Sequence, residues 1–420
     1  MVSVIMANCG RFALQKKALS GTAYCAIMRV NRIGRLQMES KTKSEGRLES
    51  LDVLRGFDMF FIFLADPVPC ICWTFLAVFG LQNSWFGLQF EHISGNGLRF
   101  YDCIFPLFLF ISGVAFPFSY AKQVERGMTA VQSSLKVARR AVTLFFLGAM
   151  LWTVIDGTLE KNILSMEWET FRVWSVIGRI GLAWGAAALA YIWLRPKWRI
   201  AAAAAVLLGM WAVMRFAVAP GAPEGVDPLV ERQWSLAYWL DVNFLTTAHR
   251  PEGGLGTVTM VGNAMLGMFA GDILRRSCAG GRKTLHLLAY AALLAACGLA
   301  MAFAFGDCSL PVNKSMWSSS FALVTASISS ALLAAFYWIV DVKGWRRWGF
   351  FFKVIGMNAI TVYLLMRTVF NTPFALDYFF SGLYKIMPSL VADFFAQAGL
   401  IAIVWTFLLF LYRKKVFLRV

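Results

Sequence analysis

The chain runs to 420 residues, of which 59% are hydrophobic and only 15% charged, at a mean hydropathy of +0.63. A water-soluble globular domain must wet most of its surface and cannot hide that much apolar side chain, so that class is excluded. The net charge of +17 is spread over many short segments instead of one basic domain, which argues against nucleic-acid binding and for positively charged cytoplasmic loops.

The first 46 residues stand apart. Met1 to Met38 holds no acidic residue, while Arg11, Lys16, Lys17, Arg29, Arg32 and Arg35 are basic. A long apolar core with a small-residue cleavage site is missing, so a signal peptide is not indicated. Residues 1–46 read as a disordered basic tail or an over-extended start with Met38 as initiator, and 47–420 as the membrane domain. Apolar blocks of about 20 residues then recur, the length that crosses a hydrocarbon core of roughly 30 Å. They predict ten spans, at 51–67, 100–120, 135–154, 173–194, 198–219, 255–274, 284–305, 317–340, 351–370 and 395–412. A β-barrel would need alternating strands of about ten residues, and the pattern lacks them. The expected fold is an all-α polytopic membrane protein with about ten transmembrane helices.

Orientation follows from an independent signal. Loops 121–140, 195–199, 275–283, 341–353 and 412–420 together carry 20 Lys and Arg, whereas the alternating loops 67–99, 154–171, 220–253, 306–316 and 370–394 carry 6. By the positive-inside rule both termini are cytoplasmic. His92, Glu252 and Lys314 then fall on the outer side, as do the long loops 67–99 and 220–253, the natural places for substrate contacts. No internal repeat is visible, which counts against a transporter built from inverted repeats. The eight cysteines are scattered. Cys70 and Cys72 form a CxC without further ligands, so neither a metal site nor a disulfide framework is expected.

Several charges fall within or at the edge of the spans: Asp58, Asp66, Asp102, Arg172, Arg179, Arg215, Asp272 and Arg367. Each costs a few kcal/mol at the bilayer centre unless it is paired or faces water. Asp58 and Asp66 are spaced to share one helix face, as are Arg172 and Arg179. Structural ion pairs and a polar cavity for an anionic ligand both account for this pattern. Arginine suits phosphate through its planar fork of donors.

The stretch FEHISGNGLRFYDCIFPLF, Phe90 to Phe108, is the most informative. It sets His92, one of three histidines, among small polar residues at the mouth of an apolar segment that carries Asp102. A histidine, with its ordinary pKa of about 6.5, exchanges protons near neutral pH, and its neutral imidazole is a nucleophile. The plainer alternative is a histidine that hydrogen-bonds a loop.

Eight segments in order resemble the heparan-α-glucosaminide N-acetyltransferase family, including its bacterial members. They are RLESLDVLRGF at 47–57, EHISGNGLRFYDCIFPLFLFISG at 91–113, RVWSVIGRIG at 172–181, PEGGLGTV at 251–258, PVNKSMWS at 311–318, DVKGW at 341–345, GMNAITVY at 356–363 and YRKKVF at 412–417. The resemblance implies a transmembrane acyltransferase that moves acetyl from cytoplasmic acetyl-CoA to an extracytoplasmic amino sugar or glycan. It places the active histidine at His92. Asp66 stands where the family carries an asparagine, and a carboxylate there could orient His92 and raise its basicity. Met366 and Arg367 follow GMNAITVY where relatives can carry a histidine, and Arg250 precedes PEGG where an acidic residue is frequent. Acceptor choice is therefore the least transferable property.

The expected catalytic set is His92, Asp66 and Asp102. Arg55, Arg172 and Arg179 are assigned to the CoA phosphates, with Arg139 and Arg140 as cytoplasmic alternatives. Asn313, Lys314 and Asn358 complete the acetyl-CoA set, and Asn96, Asn313 and Asn358 are candidate donors to the carbonyl oxygen. Asn96, His249 and Glu252 are assigned to the acceptor. His92 could act as general base in direct transfer, the favoured route, or as a nucleophile forming acetyl-imidazole. O-acyl transfer to an envelope polysaccharide and transport of a small anion or sugar are the alternative functions. The expected partners are acetyl-CoA, the acceptor glycan and the lipid bilayer, with a homodimer left open and neither nucleic acid nor metal. The expected location is the bacterial inner membrane.

Overall fold

The computed structural model describes residues 48–65, 71–155, 174–243, 254–368 and 378–418. The expectations for residues 1–46 lie outside them. The described residues are helical without a named strand; Val218 and Ser235 form an isolated antiparallel bridge.

In chain order the principal helices are α1 (Glu49–Ala65), α2 (Ile71–Val78), α3 (Ile104–Glu125), α4 (Ala130–Ile155), α5 (Val176–Trp193) and α6 (Pro196–Phe216). They continue with α7 (Leu236–Asn243), α8 (Gly256–Arg275), α9 (Gly280–Phe303) and α10 (Ser319–Phe336), the last prolonged by a π turn, Tyr337–Val342. The series ends with α11 (Phe350–Met357), α12 (Ala359–Thr368) and α13 (Ser389–Arg413).

Among the described residues seven helices are long and apolar enough to cross a membrane. These are α3 with its preceding turn, α5, α6, α8, α9, α10 with its π turn, and α13. The other three expected spans also fall on helix, with physical reasons for standing apart. α1 has 17 residues, α4 carries Arg139 and Arg140 in its first half, and the span expected at 351–370 is broken at Asn358 into α11 and α12. The protein is therefore a polytopic all-α membrane protein.

Lipid tails are as apolar as leucine, so close backbone approach and buried polar links must hold such a bundle together. α3 and α8 meet through glycine: a Cβ on Gly113 would collide with the Ala264 carbonyl, and one on Gly267 with the Phe110 carbonyl. α1 and α11 meet the same way, Gly56 against Phe352 and Gly356 against Asp52. The buried pad Met59, Val354, Ile355, Val362, Leu400 and Val404 joins α1, α11 and α12 to α13.

One polar knot marks an end of the bundle. The Glu49 and Ser50 amides donate to the two Asp341 carboxylate oxygens at 3.3 and 3.2 Å, so a distant aspartate caps α1. Glu49 in turn pairs with Lys353 and, at 3.1 Å, with Arg346. Asp341 closes the π turn of α10, whose other end leads from segment 310–318. These 24 residues, Ser319–Val342, separate the two ends by about 36 Å at a helical rise of 1.5 Å per residue.

Candidate active site

The loop 91–99 leaves a 3-10 turn, Gly87–Phe90, and enters a second, Phe100–Cys103, that runs directly into α3. Gly95 at φ 97° and Gly97 at φ 129° let it reverse in conformations that L side chains rarely adopt. The Gly97 amide donates to the Val312 carbonyl at 2.7 Å, and Asn313 Nδ2 donates to Asn96 Oδ1 at 2.8 Å. These bonds staple the loop to segment 310–318. That segment is itself tightly turned, with Asn313 Oδ1 accepting from the Met316 amide and Ser318 Oγ from the Asn313 amide, both at 3.1 Å. Trp317 takes φ 51°, a costly value for a bulky residue. Its buried indole, edge-on to Phe105 and Phe321, holds it there.

The turn aims Lys314 at the loop. Asp102 is fully buried at the mouth of α3 and gathers the surrounding donors. Its Oδ1 lies 2.7 Å from His92 Nδ1 and 3.3 Å from Lys314 Nζ, and its Oδ2 accepts the Arg99 and Ile93 amides at 3.2 and 3.3 Å. A carboxylate at this depth is tolerated because it is paired and bonded on both oxygens. An ionised carboxylate only accepts, so Nδ1 carries the ring proton and donates it to Asp102, which leaves Nε2 as the accepting nitrogen. This tautomer is assigned from the hydrogen-bond network.

Lys314 Nζ lies 2.9 Å from Nδ1, 3.3 Å from Nε2 and 3.3 Å from Asp102 Oδ1, so the ammonium stands beside the ring and its charge partner is the carboxylate. The imidazole is 54% exposed, whereas Lys314 is 12% exposed. Tyr101 lies 4.4 Å away, ring to ring, and tilted by 34°. Arg99 Nη1 donates to the His92 carbonyl at 3.3 Å and to Glu91 Oε2 at 3.4 Å, while Trp73 Nε1 donates to Glu91 Oε1 at 3.1 Å. An oriented imidazole with an accepting nitrogen, beside a fixed ammonium, can remove a proton from an incoming nucleophile and stabilise an oxyanion.

The structure thus brings together His92, Asp102, Lys314, Asn96 and Asn313. Asp102, expected in the catalytic set, bonds His92 Nδ1; the orienting role expected of Asp66 falls outside the described residues. Lys314, expected with acetyl-CoA, stands against the imidazole itself. Asp66, Arg172, His249 and Glu252 lie outside the described residues.

The remaining candidates fall elsewhere. Arg55 lies in the second turn of α1, near the Glu49–Asp341 knot, 3.5 Å from Asp52. Arg179 is buried at the opposite end, its Nε donating to Thr257 Oγ1 at 3.2 Å and its guanidinium beside Gly256, which also neighbours Trp317. These two arginines therefore do not share one phosphate. Asn358 is buried at the α11–α12 break, with neither amide atom hydrogen-bonded among the described residues. Nor is it bonded to His92. Trp73, Glu91, Arg99 and Tyr101 belong to the site without having been foreseen; the nearness of three of them to His92 in sequence was the available signal. Among the described residues no group of three or more His, Cys, Asp and Glu could hold a metal ion.

No family model matches the chain. It is similar to the human heparan-alpha-glucosaminide N-acetyltransferase, 26% identical over 429 residues that cover 89% of this chain and 60% of the human protein. The mouse protein of the same name is 24% identical over 434 residues, covering 91% of this chain and 62% of its own length. The chain thus spans about 60% of the length of these curated relatives. With identity that runs through nine-tenths of its length, the chain is a distant relative of the heparan-alpha-glucosaminide N-acetyltransferases.

Proposed function

We propose that the protein is a membrane acetyltransferase that moves acetyl from acetyl-CoA to the amine of an extracytoplasmic amino sugar or glycan. All ten expected segments cross the membrane in this reading, with both termini cytoplasmic and the bacterial inner membrane as the location. The observation that carries it is the buried Asp102 bonded to His92 Nδ1 at 2.7 Å, with Lys314 alongside. The names of the two relatives supply the reaction class.

The acceptor amine attacks the thioester carbonyl while His92 Nε2 takes its proton. The C–N bond forms and the C–S bond breaks. CoA leaves as the thiolate and is protonated by the imidazolium, which returns His92 to its starting state. Lys314, helped by the Asn96–Asn313 pair, offsets negative charge on the carbonyl oxygen. The half-exposed ring favours direct transfer over a relay, because an acetyl-imidazole open to water would hydrolyse.

A route for acetyl-CoA through the bundle is supported by three buried polar side chains, Asp58, Asn263 and Asn358. None of their oxygen or nitrogen atoms finds a hydrogen-bond partner among the described residues. Burying such groups dry is costly, so water or a ligand is expected beside them. The test is release of CoA thiol by purified protein given acetyl-CoA and glucosamine. Wild type releases thiol only when amine is present, and His92→Ala lowers the rate by about 10²-fold or more. Release that is equal in both proteins, or absent with every amine and alcohol tried, overturns the reading.

A further inference from the structure

Between the first two expected spans the chain carries a surface that the chemistry above leaves unused. Residues 71–90 contain no charged side chain, although α2, at eight residues, is too short to cross a bilayer. Large apolar side chains stand exposed along this segment: Phe75 at 47%, Phe79 at 62%, Leu81 at 49%, Trp85 at 78% and Phe86 at 56%. A polar tip, Gln82–Asn83–Ser84, divides them. Apolar and aromatic flanks around a polar tip suit the membrane–water boundary, where tryptophan is enriched.

Two sets of contacts tie the segment down. On one side Phe75 packs against Phe394 of α13, ring centroids 5.7 Å apart, and Gln397 of α13 donates to Thr74 at 3.4 Å. α13 is long and apolar enough to cross a membrane and is mostly unburied within the bundle, with Phe395, Phe407 and Phe410 exposed, so the patch continues an apolar surface suited to acyl chains. On the other side Trp73 holds Glu91, the residue before His92.

We infer that the 71–90 segment seats in the lipid leaflet on the His92 side, and that the acceptor is an amphiphile held in that leaflet, an amino sugar on a lipid anchor. The occupant of the patch is lipid. An amine that diffuses in the plane of this leaflet arrives at His92 along the same surface. The inference rests on the acetyl-transfer reading and names its acceptor class.

The experiment uses the full chain in phospholipid vesicles, with acetyl-CoA and either free glucosamine or a long-chain alkyl glucosaminide. Wild type is expected to favour the alkyl acceptor in kcat/KM by about tenfold or more, as burial of a few methylene groups allows. In the triple variant Phe79→Ser, Trp85→Ser, Phe86→Ser that ratio falls towards one. Trp85 gives a second readout: vesicles of brominated lipid quench more fluorescence from wild type than from Trp85→Phe. No alkyl preference in wild type, a preference unchanged in the triple variant, or equal quenching in both proteins would overturn the inference. Equal quenching together with a variant that dissociates from dimer to monomer assigns the patch to a second copy of the chain and likewise overturns it. Thiol release with free glucosamine tests acetyl transfer separately, so failure of the two readings is distinguishable.

Discussion

At the scale of single residues, Asp102 and Lys314 differ in what they contribute to His92. Asp102 fixes the tautomer. Asp102→Asn keeps the shape but can donate to Nδ1, so the ring proton moves to Nε2 and the base is lost. Thiol release is expected to fall by about 10²-fold or more, with elution as a folded species on size exclusion unchanged. Lys314 supplies charge. Lys314→Met should lower kcat by about 10²-fold with little change in KM, and Lys314→Arg should restore part of it; steady-state kinetics on both variants checks this. His92 stands out in the sequence by its setting and by the resemblance, and the structure sets it against Asp102 and Lys314. Its partners were only partly legible. Asp102 lies ten residues from His92, close enough for the sequence to pair the two, whereas Asp66 falls outside the described residues. Lys314 lies 222 residues away, and only the packing of loop 91–99 against 310–318 makes the two meet.

At the scale of helices, spans were legible because lipid imposes length and hydropathy directly. The break at Asn358 was not, since a single asparagine in an apolar run carries no strong local signal. The independent helix α2 was also hidden, inside what read as one long outer loop. The glycine contacts make a firm expectation. Gly267→Val drives a branched side chain into the Phe110 carbonyl, which the α3 backbone cannot yield, and should cost about 1–3 kcal/mol. Asp341→Ala removes the acceptor for the first amides of α1 and should cost about 0.5–2 kcal/mol. Thermal midpoints in a single detergent would register both.

At the scale of the whole molecule, the alternation of basic loops makes a topological prediction. A fluorescent protein fused after the last residue should fold and fluoresce inside the cell, as a cytoplasmic C-terminus requires. A membrane-impermeant thiol reagent applied from outside should label Cys308, which is exposed in the loop beside segment 310–318, and spare Cys278 at the other end of α9. Labelling of Cys278 alone would invert the orientation. The charge counts give an orientation for the labelling to test, whereas the knot that closes one end of the bundle was not legible, because Glu49, Asp341 and Lys353 are joined only by tertiary folding.

The burial of Asp102 also has an evolutionary consequence. Its charge needs a counter-charge whether or not the protein turns over substrate, and Lys314, 3.3 Å away, carries one, whereas the imidazole is charged only when protonated. His92 is the exposed and dispensable member of the three. A descendant that drifted into a purely structural role would be free to shed the imidazole while selection for folding kept the aspartate–lysine pair. In a collection of homologues, the presence of that pair would therefore report ancestry, and the histidine between them would report a working enzyme.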